Sequence, residues 1–467
     1  MIIEKQLEWL DCLKEGCQKA QKLSKQILVS FTKRLQETVT PLDFFENGRH
    51  TFRGSRMYWS DGQDMVLAGA GAAATYAAGI DNRTLAVETA WKETLEDALI
   101  FGDKQVRGTG PVLMGGFSFD PWREKTSLWN NFRQNECIVP QFLLTKKQNN
   151  YYLTFSALVN EQTDIDRLYR QMIEKYNELT SKCQERSDAH IEESLNITEN
   201  EKERWLDIVE KAVTDIKRQA MEKVVLSRTL TVTRETPFDT TEVLERLQEK
   251  QSHSFIFAVE RGDSAFIGAT PERLIKKSGN QIKTMCLAGS IARGKTMEED
   301  KKLGEALLND EKNLAEHQTV VNMISDVMER LCRSVYKPPA PALYKVKDVQ
   351  HLYTPISAEA NDDITLFAFV DKLHPTPALG GEPKEKAVKW IRENETYERG
   401  WYGSPLGWVD SRGDGEFSVA IRSALVKGNT ATLFVGCGIV ADSDPLSELN
   451  ETKMKARPMI TALGGFE

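Results

Sequence analysis

Residues 222–232 read EKVVLSRTLTV. The run reads as a β-strand, in which alternate side chains fall on opposite faces. Val224 and Leu226 then share one face; Lys223, Val225 and Ser227 share the other. A lysine in such a run suits a surface strand. It equally suits a pocket in which an amine takes a proton. The flanking sequence sets the fold class. A helical pattern over 204–220 leads into the run and another follows at 240–250. SFIFAVE (254–260) and SAFIGAT (264–270) then read as strands. Toward the N-terminus a helical stretch over about 3–38 precedes strand-like RMYWS (56–60), DMVLAGAG (64–71), GPVLMGGFSF (110–119) and NNYYLTFSALV (149–159). Helical patterns at 84–100 and 161–181 sit between them. Toward the C-terminus one long helix over 299–334 is followed by strands at 405–410, 416–427 and 430–440, and by a closing helix from about 445. Strands cluster in hairpin-like pairs with helices between, which predicts an α+β fold with largely antiparallel sheets.

Residues 182–203, KCQERSDAHIEESLNITENEKE, are strongly polar and lack apolar periodicity. They read as an exposed linker. The chain of 467 residues is 40% hydrophobic, enough for a sizeable core, and carries a net charge of −8. That balance argues against a general nucleic-acid binder. No apolar run approaches the length of a membrane span. The opening MIIEKQLEWLDCLKEGCQKA has no apolar signal core. Seven cysteines, an odd number with no CxxC pair, read as reduced thiols of a cytoplasmic protein. The sequon at Asn196-Ile197-Thr198 is then a chance match.

Several short signals carry chemistry. Gly69-x-Gly71-x-x-Ala74, with Glu88 farther on, approximates a dinucleotide fingerprint; without a βαβ unit it reads as a tight packing turn. In FIGATPERL (266–274), Pro271 fixes the turn and Glu272 leaves it, toward a cleft or toward an exposed ion pair. In the helix 309–331, Glu316 lies one turn before the Val320, Ile324 and Met328 stripe. A carboxylate there can be a solvated helix start or a magnesium ligand. Arg422, inside the apolar FSVAIRSALV (417–426), reads as an anchor for an anion. Gly436 and Gly438 leave backbone amides open to an anion. Pro445 opens a helix on which Glu448, Glu451 and Lys455 share one face. That face is a surface ion-pair ladder unless a partner carboxylate comes from elsewhere.

The order of these segments is more specific than any one of them. EKVVLSR, GATPERL, CLAGSIARG, NDEKNLAEH, VQHL, LHPTPALGG, RGWYGSPLGW, FSVAIRSA, GCGIV and SDPLSELNETKMKA together resemble the chorismate-utilising enzymes. The likeness is dense over 204–460 and continues through RMYWSDGQ and GGFSFDPW. It is strongest to the menaquinone-type isochorismate synthase branch of Gram-positive bacteria. The resemblance implies an α+β body of two large antiparallel sheets packed face to face with outer helices. Residues 1–195 would contribute to the shared body and 204–460 would form the chorismate-binding catalytic region. It implies Mg²⁺ held by Glu316, Glu448 and Glu451, and substrate held by Ala288, His351, Tyr402, Arg422, Gly436, Gly438 and Lys455. Asn313 stands where some relatives carry an acid.

Two positions select the reaction. Amine-adding relatives usually carry glutamine at the place of Lys223, and one branch carries a nucleophilic lysine at the place of Ala288. The resemblance therefore implies water as nucleophile, deprotonated by Lys223, with Glu272 protonating the departing hydroxyl. No amidotransferase subunit is expected, and a monomer or weak homodimer would suffice. The alternatives are a salicylate synthase, or an isochorismate synthase serving a catecholate siderophore.

Overall fold

The computed structural model describes residues 2–36, 39–182, 194–347 and 349–465. Among them a thirteen-stranded and a ten-stranded sheet pack against each other. In spatial order the larger sheet runs Asn196–Glu199, Lys223–Thr233, Thr430–Ile439, Ser423–Lys427, Ser264–Thr270, Phe255–Arg261 and Arg56–Ser60, then Met65–Ala70, Phe142–Lys147, Asn150–Val159, Ile27–Arg34 and Leu99–Gly102. The two-residue Gly381–Glu382 also pairs with Lys223–Thr233. The smaller sheet has Gln281–Ala292, Arg273–Ser278, Gly415–Val419, Pro405–Asp410 and Val112–Phe117 at its centre. Every pairing is antiparallel except Ile27–Arg34 with Leu99–Gly102. Between the sheets lies an aromatic core in which Trp59 of one meets Trp408 of the other at 5.9 Å. Helices cover the outer faces; Trp9 and Leu13 of Ile2–Leu23 join one outer core, and Val320, Ile324 and Met328 of Glu311–Leu331 join the other.

Both sheets take strands from either side of residues 183–193. Ser60 pairs with Ile256 in the larger sheet and Gly116 with Leu406 in the smaller. Residues 183–193 of the expected linker lie outside the described residues. Farther on, 196–199 form an edge strand and Lys202 opens a helix. No helix among the described residues is long and apolar enough to cross a membrane.

Three sequence expectations need correction. The N-terminal helix ends at Leu23, and Ile27–Arg34 is a strand paired over eight residues with Asn150–Val159. Ser24, with φ at +50°, turns the chain out of the helix, and cross-strand pairing then outweighs the helical reading. The long helix over 299–334 is two helices, Met297–Leu308 and Glu311–Leu331, followed by strand Cys332–Tyr336. Asp310 separates them, because its side chain accepts from Asn313 N and caps the second helix. Finally, 416–427 is not one strand: Gly415–Val419 belongs to the smaller sheet and Ser423–Lys427 to the larger. Arg422 sits in the crossing, at φ +52°, rather than inside a strand.

The Gly69–Ala74 segment is a packing turn that carries the chain from Met65–Ala70 of the larger sheet to Ala74–Tyr76 of the smaller one, with no βαβ unit. Gly71 has φ +72°, and a Cβ on Gly69 would lie 2.8 Å from Pro140 Cγ.

Candidate active site

Two chain crossings between the sheets build the centre of the site. Ser264–Thr270 leaves the larger sheet and Arg273–Ser278 enters the smaller one, with Glu272 in between. Gly415–Val419 leaves the smaller sheet and Ser423–Lys427 enters the larger, with Arg422 in between. The crossings are tied together: Val419 N donates to Glu272 O at 3.0 Å, and Ala269 N to Arg422 O at 3.1 Å. Both buried side chains reach one cavity of about 270 Å³. A positive φ at a buried arginine stores local strain, which the surrounding bonds must hold.

The cavity gathers all twelve residues proposed from sequence: Lys223, Glu272, Ala288, Glu316, His351, Tyr402, Arg422, Gly436, Gly438, Glu448, Glu451 and Lys455. The register between Lys223–Thr233 and Thr430–Ile439 sets Val225 opposite Gly438 and Ser227 opposite Gly436. Both glycines make room. A Cβ on Gly438 would lie 2.8 Å from Lys223 Cε, and one on Gly436 would lie 3.1 Å from the Tyr402 hydroxyl. Lys223 is buried, and its Nζ donates to Glu316 Oε1 at 2.5 Å. Tyr402 stacks on Phe434 at 5.3 Å, and burial pushes its phenol up.

The carboxylates differ sharply. Burial raises Glu272 to about 7, against the opposing charges of Lys223, Lys455 and Arg422. Burial, then the charge of Glu451, raises Glu448 as well. Burial also acts to raise Glu451, but Lys455, Arg422 and Lys223 together hold it below the usual range. Lys455 Nζ donates to Glu451 Oε1 at 2.5 Å and to Gly436 O at 3.1 Å.

Two histidines hold the Ala288–Ser290 stretch of the cavity lining. His317 Nδ1 lies 3.0 Å from the Ala288 carbonyl, so it carries the proton; Nε2 then accepts from Thr354 Oγ1 at 2.8 Å. His351 Nδ1 lies 2.6 Å from Ser290 Oγ. Burial, with the charges of Arg422 and Lys455, pushes His351 down to about 3, so it is neutral.

The expected metal ligands face the cavity but do not form a ready cluster. Among the described residues no three His, Cys, Asp or Glu side chains come together as a metal would need. The reason is visible in the ion pairs: Glu316 holds Lys223 and Glu451 holds Lys455. The donor chemistry still fits a hard cation, since Glu448 is a buried carboxylate beside a second one, and all three groups are oxygen donors.

A family model described as "Chorismate binding enzyme" matches residues 15–464. The chain belongs to the chorismate-binding enzyme family. It is 41% identical over 453 residues to isochorismate synthase MenF of Bacillus subtilis (strain 168), covering 96% of each chain. It is 32% identical to the salicylate biosynthesis isochorismate synthase of Pseudomonas aeruginosa, covering 96% of this chain and 93% of that one. The solved structure of MenF, the menaquinone-specific isochorismate synthase from Escherichia coli, superposes with a TM-score of 0.76 at 23% identity, over 94% of each chain. This likeness shows that the two-sheet fold is that of the family.

Other residues of the cavity carried little chemical signal in the sequence. Ser290 follows Gly289, whose φ of +80° marks a bulge in Gln281–Ala292; the AGS triplet was the available signal. Ala378 and Leu379 line the cavity from the PALGG segment, whose small apolar residues carry no chemical signal. Lys312 lines it from an exposed first helical turn, where a lysine carries no signal of its own.

Proposed function

We propose that the chain is an isochorismate synthase, an isomerase that interconverts chorismate and isochorismate. The observation that carries this reading is that one cavity holds a lysine and a largely buried glutamate of near-neutral pKa, Lys223 and Glu272, and also Arg422 and Lys455, cations suited to anchor anions. Chorismate is a dianion, with one carboxylate on its cyclohexadiene ring and one on the enolpyruvyl arm. Arg422, Tyr402 and Lys455 would hold its anionic oxygens, and neutral His351 and Ala288 line the same cavity.

Lys223, once it has left Glu316 and given its extra proton to solvent, accepts as the neutral amine a proton from water, whose oxygen bonds to ring carbon 2. The ring double bonds shift, the bond from carbon 4 to its hydroxyl breaks, and Glu272 supplies the proton with which that group leaves as water. One water is consumed and one released, so chorismate and isochorismate are isomers. A glutamate raised to about 7 is protonated in useful amount at neutral pH, as an acid in this role must be. Each group contributes about 10²–10⁴-fold. Glu316, Glu448 and Glu451 are the residues that would hold magnesium, which would neutralise the ring carboxylate when bound.

The full-length similarity to isochorismate synthase MenF of B. subtilis supports a role in menaquinone synthesis. The reading carries with it a cytoplasmic enzyme that needs no amidotransferase subunit and works as a monomer or weak homodimer. The test is to incubate the purified protein with chorismate and Mg²⁺, without ammonia, and separate the products. Isochorismate in equilibrium with chorismate, lost on addition of EDTA, is expected. Salicylate with stoichiometric pyruvate would assign the chain to the salicylate synthases. Conversion only when ammonia is added would overturn the role of Lys223.

A further inference from the structure

Behind the cavity wall lies a buried ion pair that none of the roles above uses. Glu395 and Arg399 are almost fully enclosed, with side chains 3% and 4% exposed. Their contact is bidentate: Arg399 Nη2 donates to Glu395 Oε1 at 2.5 Å and Nε to Oε2 at 2.8 Å. Such a pair contributes little net stability, because desolvation offsets the attraction. What it does provide is direction, since a guanidinium is a rigid planar fork.

The fork reaches pieces of the cavity that are far apart in sequence. Arg399 Nη2 donates to Val225 O at 2.7 Å, and Nη1 to Leu379 O at 3.1 Å. Arg399's own carbonyl accepts from Tyr402 N at 3.0 Å. Val225, Leu379 and Tyr402 all line the cavity; Glu395 and Arg399 do not. Glu395 Oε1 also accepts from Ser227 N at 2.8 Å and Ser227 Oγ at 2.9 Å, and Tyr397 OH donates to that Oγ at 2.7 Å. The segment after Leu379 then clamps the base itself. Glu382 pairs with Lys223 and Gly381 with Val224, and a Cβ on Gly381 would lie 2.2 Å from Lys223 O.

We propose that Glu395 and Arg399 are positioning residues for Lys223. They fix the spacing between its strand and the 379–382 segment, and so set where the amine stands relative to the substrate ring. The inference rests on the reading of Lys223 as the base of an isochorismate synthase.

Arg399→Lys keeps a cation beside Glu395 but loses the fork. The measurement is kcat and KM for chorismate, corrected for the folded fraction by circular dichroism at the assay temperature. Misplacement of the amine is expected to lower kcat by about 10²-fold while KM stays unchanged. Tyr397→Phe, which removes one hydroxyl from the same network, is expected to move kcat in the same direction by less. An unchanged kcat, or a loss that vanishes on correction for the folded fraction, overturns the proposal, as does a rise in KM at constant kcat. If Arg399→Lys fails to fold, Ser227→Ala decides by the same division between kcat and KM, since it removes both hydroxyl bonds and leaves the backbone intact. A wild-type protein inert toward chorismate would instead sink the functional reading.

Discussion

Glu272 and Glu451 face one cavity and feel the same three cations, yet they move in opposite directions. Glu272 sits in a chain crossing between the sheets, and burial there wins over the distant charges of Lys223, Lys455 and Arg422. Glu451 sits on the closing helix, where Lys455, one turn on, bonds to it directly at 2.5 Å. At Glu451 the charge and direct bond of Lys455, joined by the charges of Arg422 and Lys223, together outweigh desolvation; at Glu272, which has no such bond, the same charges do not. One end of the site is thereby kept able to give a proton, and the other able to hold cations.

The largest expected effect comes from removing the group between the two ends. Lys223→Ala should abolish turnover, a loss on the order of 10⁴-fold, with the fold intact by circular dichroism. Near-full activity would sink the base assignment. Glu272→Gln should lower kcat by about 10²–10⁴-fold. It should also separate activity from stability. The folded pKa of Glu272 is raised from 4.5 to about 7. The cost of burying its charge is therefore absent below pH 4.5, grows between the two values and is complete above 7. Glu272→Gln should thus be the more stable protein above pH 7, by ~3 kcal/mol, and no more stable below pH 4.5. Wild-type activity should fall as pH rises through about 7 and the acid ionises. Equal stability of the two proteins at pH 8, measured by urea titration, would contradict the burial argument.

At the other end, Lys455→Met removes the cation that holds Glu451 down and bonds Gly436 O. The loss of a charge-assisted bond predicts a rise in KM for chorismate of roughly 10- to 100-fold, with a smaller change in kcat. A change confined to kcat would place Lys455 in the chemistry rather than in binding.

Much of this division was legible in the sequence, and the reasons for the failures are local. The strand at 222–232 declared itself through β-branched residues, and the closing helix through Pro445 and its one-sided charges. Glu316, far away in sequence, lines the same cavity as the Glu448–Lys455 face, where it is paired with Lys223. The break at Arg422 could not be read, because an apolar run looks the same whether it stays in one sheet or passes to another. Nor could the helix stop at Leu23 be seen, since Ile27 fits a helical stripe as well as a strand. Of the two lysine–glutamate pairs, Glu451–Lys455 is the ion-pair ladder already legible on the helix face, whereas Lys223–Glu316 joins a strand to a distant helix and left no signal in either segment.

The smallest effect offers the sharpest test of that last pair. Gly438 carries no positive φ, so its backbone accepts alanine, and the new Cβ would meet only the far end of a flexible side chain: Lys223 Cε at 2.8 Å and Nζ at 3.2 Å, with Glu316 Oε1 at 3.5 Å. Lysine yields, and the strand does not. Gly438→Ala should therefore lower kcat by about tenfold through displacement of the amine, with little change in thermal midpoint. Gly436→Ala is the contrasting case, because its Cβ would lie 2.8 Å from the Leu226 carbonyl, an atom fixed in the neighbouring strand. Its loss should appear in stability first. If both substitutions lower the midpoint alike and neither changes kcat of the folded protein, the glycines serve the sheet alone, and Lys223 is not held in the place that its base role demands.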